Sequence, residues 1–199
     1  AMLGKIEDSV ALDLYFTADL LADETPQLDI DQGLLAEALA SDSFEAWFQP
    51  QVAIGSGFVT GVEALARWNL DGHSIPPARF IPELERCNLI DALTERILTQ
   101  ACRWRARWRE AGLNLGISVN VSMHNLEDTT AADRYQAIVQ AAGIDTHDVT
   151  LEITESAMMH EAAPVLNVLA RLRLKGFGLS VDDFGTGWSS LSQLAQLPV

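Results

Sequence analysis

The sequence predicts a parallel α/β fold, built either as an open doubly wound sheet or as a closed barrel. Three observations carry that expectation. From Phe44 onward, short β-forming segments alternate with helical segments of about 10–15 residues. Glycines follow the helical segments, at Gly112, Gly143 and Gly176. Within the strand-like segments, single polar residues stand among apolar neighbours, as in Val119-Asn120-Val121 and Leu151-Glu152-Ile153.

Taken in order, residues 1–43 differ from the rest. They hold ten acidic residues against Lys5 alone, and their helix-like spacing (Leu34, Leu35, Ala38, Leu39) is interrupted by Pro26 and Gly33. This stretch reads as an acidic linker ending in a short helical extension, the tail of an upstream module. Phe44–Ile54 and Val59–Trp68 are strands joined by a hairpin at Gly55-Ser56-Gly57. Pro76, Pro77 and Pro82 break the region that follows. Asp91 to Glu110 is a long amphipathic helix with Leu93, Ile97, Ala101, Trp104 and Trp108 on one face, capped near Gly112. Ile117–Ser122 and Val149–Thr154 are strands, with the helix Ala131–Ala142 between them. A helix opened by Pro164 leads to the strand Leu179–Phe184, a Gly-rich loop and a last helix at Ser189–Gln196.

Composition narrows the class. The chain has 199 residues, enough for one large domain or a domain with an appendage. At 48% hydrophobic and 21% charged it is an ordinary globular composition. No apolar run is long enough to span a membrane and no secretory signal is visible, so a soluble, cytoplasmic chain is expected. The net charge of −15 argues against binding a nucleic-acid polymer. Arg103, Arg105, Arg107 and Arg109 spread around their helix as a solvated face. The four histidines lack the spacing of a zinc site, and Cys87 and Cys102 read as buried or neutral thiols.

The strands carry the chemistry. Side chains alternate faces along a strand, so Asn120 opposes Val119 and Val121, and Glu152 opposes Leu151 and Ile153. With the apolar residues under helices, Glu63, Asn120, Glu152 and the pair Asp182-Asp183 lie on the other face. Carboxylates gathered there would cost several kcal/mol each if unpaired. An oxygen-only set suits a hard divalent cation, and the adjacent aspartates could bridge two.

Five motifs in order make these residues identifiable: Phe48-Gln49-Pro50-Gln51, Glu63-Ala64-Leu65-Ala66-Arg67, Ser118-Val119-Asn120-Val121-Ser122, Leu151-Glu152-Ile153-Thr154-Glu155 and Asp182-Asp183-Phe184-Gly185-Thr186-Gly187. Over residues 44–199 the chain resembles the EAL family, bacterial phosphodiesterases specific for cyclic di-GMP. The resemblance implies a TIM-barrel-like (β/α)8 fold that hydrolyses cyclic di-GMP to linear pGpG by two-metal catalysis with Mg²⁺ or Mn²⁺. Glu63, Asn120, Glu152, Asp182 and Asp183 would be the metal ligands, with Glu63, Glu152, Asp182 and Asp183 catalytic. Gln49, Leu65, Arg67 and Asn120 would bind substrate. Glu155 with Phe184, Gly185, Thr186 and Gly187 would couple the site to a homodimer, and an upstream sensor or regulatory domain would control it.

Departures from the family are few. Asn88 stands where glycine is usual and Trp188 where tyrosine is common. Leu197-Pro198-Val199 resembles the point before the strand that bears a catalytic lysine, with a further glutamate ligand and the closing helices beyond. An incomplete barrel, inactive or nearly so by itself, is therefore expected. The rival class is a non-catalytic module that binds cyclic di-GMP or a protein partner.

Overall fold

A computed structural model of the chain describes residues 29–154 and 163–182. These form one mixed sheet with helices packed on one of its faces. The chain enters through α1 (Gln32–Ala40), capped by Asp31, whose carboxylate accepts from the Leu34 amide at 2.8 Å. Leu35 and Ala38 of this helix are buried in the same core as the strands.

Strands β1 (Phe44–Val52) and β2 (Val59–Leu70) form the expected hairpin, and the short β3 (His73–Ile75) folds back on the end of β2. Asp71 and Gly72, both at positive φ, make the two-residue turn between β2 and β3. Then come α2 (Pro77–Arg86), α3 (Ile90–Glu110), β4 (Gly116–Val121), α4 (Met123–Glu127), α5 (Ala131–Ala141), β5 (Val149–Thr154), α6 (Ala163–Leu174) and β6 (Gly178–Asp182). The sheet order is β1-β2-β4-β5-β6, antiparallel at β1–β2 and parallel from β2 through β6.

Helix α3 packs across β1, β2 and β4. It also protects the sheet edge: Gln100 accepts from the Ala46 amide at 2.8 Å and donates to the Phe44 carbonyl at 3.0 Å. Arg96 donates to the carbonyls of Phe44 and Leu39 and to Asp42, tying α1 to β1. Beneath lies an aromatic knot of Phe44, Trp68 and Phe80, with ring centroids 5.3–5.8 Å apart.

Three expectations change. Pro82 breaks nothing: it sits inside α2, because burial of Phe80 and Leu84 on either side outweighs the lost backbone bond, a cost of about 3 kcal/mol. Arg105 is not on a solvated face. It is 2% exposed, and its Nη2 donates to Asn114 at 2.6 Å and to Asp148 at 3.1 Å. Trp104, expected on the buried face, is 41% exposed and lies tilted against Trp108, with Arg107 over its ring. Asn88 takes the left-handed conformation usual for glycine, with φ 54°. Gly112, Gly143 and Gly176 do so too where their helices end. The helix at 189–196 lies outside the described residues.

Candidate active site

The two faces of the sheet are chemically unlike. Ile117, Val119 and Val121 of β4, Leu151 and Ile153 of β5, and Val62, Ala64 and Trp68 of β2 are buried under the helices. Strand alternation turns Gln49 and Gln51, then Glu63, Leu65 and Arg67, then Ser118 and Asn120, then Glu152 to the opposite face.

Register sets these side chains in two tiers, Glu63 level with Ser118 and Asn120 two residues further along β4. Gln49 lies opposite Glu63, and Asn120 opposite Glu152. Asn120 Nδ2 donates to Glu63 Oε1 at 2.7 Å, a bond between adjacent parallel strands. It uses the amide nitrogen, and the amide oxygen is the atom suited to a hard cation. Gln51 Nε2 lies 3.3 Å from both Ser118 Oγ and Glu152 Oε1, which joins β1 to β5 across the open face. Sequence reasoning did not assign Gln51, although it lies two residues from Gln49 and so on the same face.

Arg67 stands above this row at the upper end of β2. Its Nη1 donates to the Ala66 carbonyl at 2.9 Å, and its guanidinium lies 5.8 Å from the centre of the Trp47 ring. Partial burial lowers its pKa from the ordinary arginine value, and the Glu63 carboxylate acts in the opposite direction. Arginine remains a cation throughout, suited to a phosphate. Leu65, Arg67 and Asn120 contribute to the lining of a cleft of about 660 Å³, together with Ile81 and Glu85 of α2 and Leu93 of α3. The cleft opens at the C-terminal ends of β2 and β4, the end at which barrels of this architecture place their chemistry.

Asp182 closes β6, its backbone paired with Thr154, two residues beyond the Glu152–Ser180 pair. The side chain of Asp182, together with Asp183, Glu155, Phe184, Gly185, Thr186 and Gly187, lies outside the described residues. Among the described residues no group of three or more His, Cys, Asp and Glu side chains could hold a metal ion. Two carboxylates and an amide on three strands, facing one open surface, nevertheless form a donor set of the type that Mg²⁺ or Mn²⁺ takes. Cys102 fits no such set: burial pushes its thiol up to about 12.

Comparison with known proteins agrees with this geometry. The family model described as EAL domain matches residues 33–199. The oxygen sensor protein DosP of Escherichia coli strain K12 is 40% identical over 168 residues, 83% of this chain and 21% of that protein. The cyclic di-GMP phosphodiesterase RocR of Pseudomonas aeruginosa is 34% identical, over 82% of this chain and 42% of RocR. The chain thus spans well under half the length of these relatives. Among solved structures, the PaMucR phosphodiesterase in complex with c-di-GMP aligns at TM-score 0.77 and 35% identity, over 83% of this chain and 68% of that one. The EAL enzyme Bd1971, in a form with cAMP and cyclic-di-GMP bound, aligns at TM-score 0.76 and 28% identity, over 84% of this chain and 47% of that one. The fold is therefore the TIM-barrel-like α/β fold of those structures, in part. With a polar row running diagonally from β2 to β5 on the open face of such a sheet, and the family model matched from residue 33 to 199, the chain belongs to the EAL domain family.

Proposed function

We propose that this domain hydrolyses cyclic di-GMP to linear pGpG, with Mg²⁺ or Mn²⁺ held by Glu63, Asn120, Glu152, Asp182 and Asp183. The observation that carries the reading is the diagonal row Glu63, Asn120 and Glu152 on one sheet face, with the 2.7 Å bond inside it, in a family whose relatives include named cyclic di-GMP phosphodiesterases. When bound, the metal pair supplies an activated water and neutralises the charge developing on the phosphodiester.

The remaining work falls to the chain. Arg67, held over the Trp47 ring, offers a cation to a phosphate of the ligand, and Leu65 beside it gives an apolar wall. Gln49, opposite Glu63, is placed to hydrogen-bond the substrate and fix its orientation. Gln51 steadies Glu152 from β1. The domain reading extends to an acidic stretch at 1–43, an upstream regulatory module, a homodimer coupled through Glu155 and residues 184–187, and a cytoplasmic location. No helix among the described residues is long and apolar enough to cross a membrane.

The test is chromatography of cyclic di-GMP incubated with Mn²⁺ and the full-length gene product that carries this domain, with equilibrium dialysis of the dinucleotide alongside. Linear pGpG that disappears in Glu63→Ala supports the reading. Saturable binding without product at any metal concentration replaces hydrolysis by the binding-module function. Neither product nor binding removes both.

A further inference from the structure

Val121 ends β4, and the chain turns at once into α4 through Ser122, one pleat beyond Asn120. Two acidic residues from different helices hold that turn. On one side, Ser122 Oγ donates to Glu85 Oε1 of α2 while accepting from the His124 amide at 3.3 Å; His124 Nδ1 lies 3.8 Å from the same carboxylate. On the other, the Ser122 amide donates to Asn125 Oδ1 at 2.9 Å. Asn125 is fully buried and uses three of its four hydrogen-bonding positions: Oδ1 also accepts from Thr94 Oγ1 at 3.1 Å, and Nδ2 donates to Asp91 Oδ1 at 2.5 Å. Asp91 is held in turn by Arg134 of α5 at 2.9 Å.

A capping box satisfies the first amides of a helix using its own residues. A helix of five residues, Met123–Glu127, gains little from one by itself. Here the box is tied to three further helices, and a buried amide whose oxygen and nitrogen are both bonded fixes a geometry rather than merely stabilising one. The geometry fixed is the exit of β4, two residues from the side chain that bonds Glu63.

We propose that Glu85 and Asp91 clamp the turn after β4 through Ser122 and Asn125, and that this clamp sets the position of the Asn120 side chain. Glu85, Ser122 and Asn125 are thereby positioning residues for the open-face row. The functional consequence rests on Asn120 being a metal ligand; the placement of Asn120 does not.

Two readouts separate these statements. In the metal-free protein, the side-chain amide protons of Asn120 report its bond to Glu63 by NMR. Ser122→Ala and Glu85→Ala should move them toward the free-amide position, and Ser122→Thr and Glu85→Gln, which keep a hydroxyl and an acceptor, should bring them back. Unmoved Asn120 signals in folded Ser122→Ala overturn the clamp, and so does movement that the conservative variants fail to reverse. Ser122→Ala removes one oxygen and keeps the test open should Glu85→Ala not fold. For the consequence, Mn²⁺ binding followed by electron paramagnetic resonance should weaken about 10- to 100-fold in Ser122→Ala. Mn²⁺ binding that survives Glu63→Ala undiminished refutes the metal reading and leaves the NMR result standing.

Discussion

The two faces of the same strands differ by a single step along the chain. Val119 is 1% exposed beneath α3, whereas its neighbour Asn120 is exposed and bonds a carboxylate on the next strand. A parallel sheet ordinarily buries both faces under helices and reads as continuous apolar residues. Here one face is apolar and the other polar, the arrangement of a barrel whose interior top carries chemistry. Stability and chemistry thus occupy adjacent residues without sharing them. Substitutions on the two faces should therefore fail in different assays.

The largest effect is expected from Val119→Asp. An unpaired carboxylate under α3 costs several kcal/mol, a large part of the stability of a domain this size. Loss of the cooperative urea transition, followed by circular dichroism, is the expected result; a transition at the wild-type midpoint would reverse the assignment of faces. Next comes Glu63→Gln on the open face. The variant keeps an oxygen acceptor for Asn120 Nδ2, so its urea midpoint should move by less than about 1 kcal/mol. In the full-length gene product, hydrolysis of cyclic di-GMP should fall by at least about 100-fold, the scale of a lost charge at a metal site. A large stability loss with retained turnover would merge the two faces into one.

Much of this was legible because a strand repeats every two residues. Asn120 between two valines, and Glu152 between Leu151 and Ile153, declare their face through that alternation alone. Asn88 is legible for a local reason, since its side chain tolerates the left-handed backbone it adopts. The misses have physical causes. Arg105 belongs to a run of alternating arginines that looks solvated, yet at 100° per residue it falls in phase with the buried Leu98, Ala101 and Cys102. The helical phase held the signal and the charge masked it. Pro82 obeys a local rule that the tertiary burial of Phe80 and Leu84 overrides. Asn125 is legible only in part: its capping partner Ser122 is three residues away, whereas Thr94 and Asp91 reach it from α3, about thirty residues earlier in the chain. Sequence patterning shows which face a side chain takes and not which distant residue meets it there.

The opposite end of the sheet offers a control. Arg105 packs beside the start of β5, away from the cleft, with Nε and Nη1 lacking a hydrogen-bond partner among the described residues. Arg105→Met removes those unpaired donors along with the pair to Asp148, which is 28% exposed and can be resolvated. The loss should therefore stay within about 1–3 kcal/mol in urea unfolding, below the usual cost of breaking a buried pair. Cyclic di-GMP affinity should not change. A shift in affinity would mean that the lower ends of the strands communicate with the open face.

The smallest effect is a pH dependence that belongs to neither face. The Asp128 carboxyl is held down at about 2, first by the Thr130 amide and then by Arg134 and the Thr130 hydroxyl. A folded-state pKa below the unfolded value of about 4 means stabilisation that is complete above pH 4 and fades as the pH falls toward 2. The side chain is 39% exposed, so solvent screening keeps the contribution under about 1 kcal/mol. Asp128→Asn keeps an acceptor for the Thr130 amide but cannot titrate. Urea midpoints measured from pH 6 down to pH 3 should fall less steeply in this variant than in the wild type, with the curves converging at the acid end. Parallel curves would assign the acid sensitivity to other carboxylates, with Asp133, held down by Lys175 and Arg171, the next to replace.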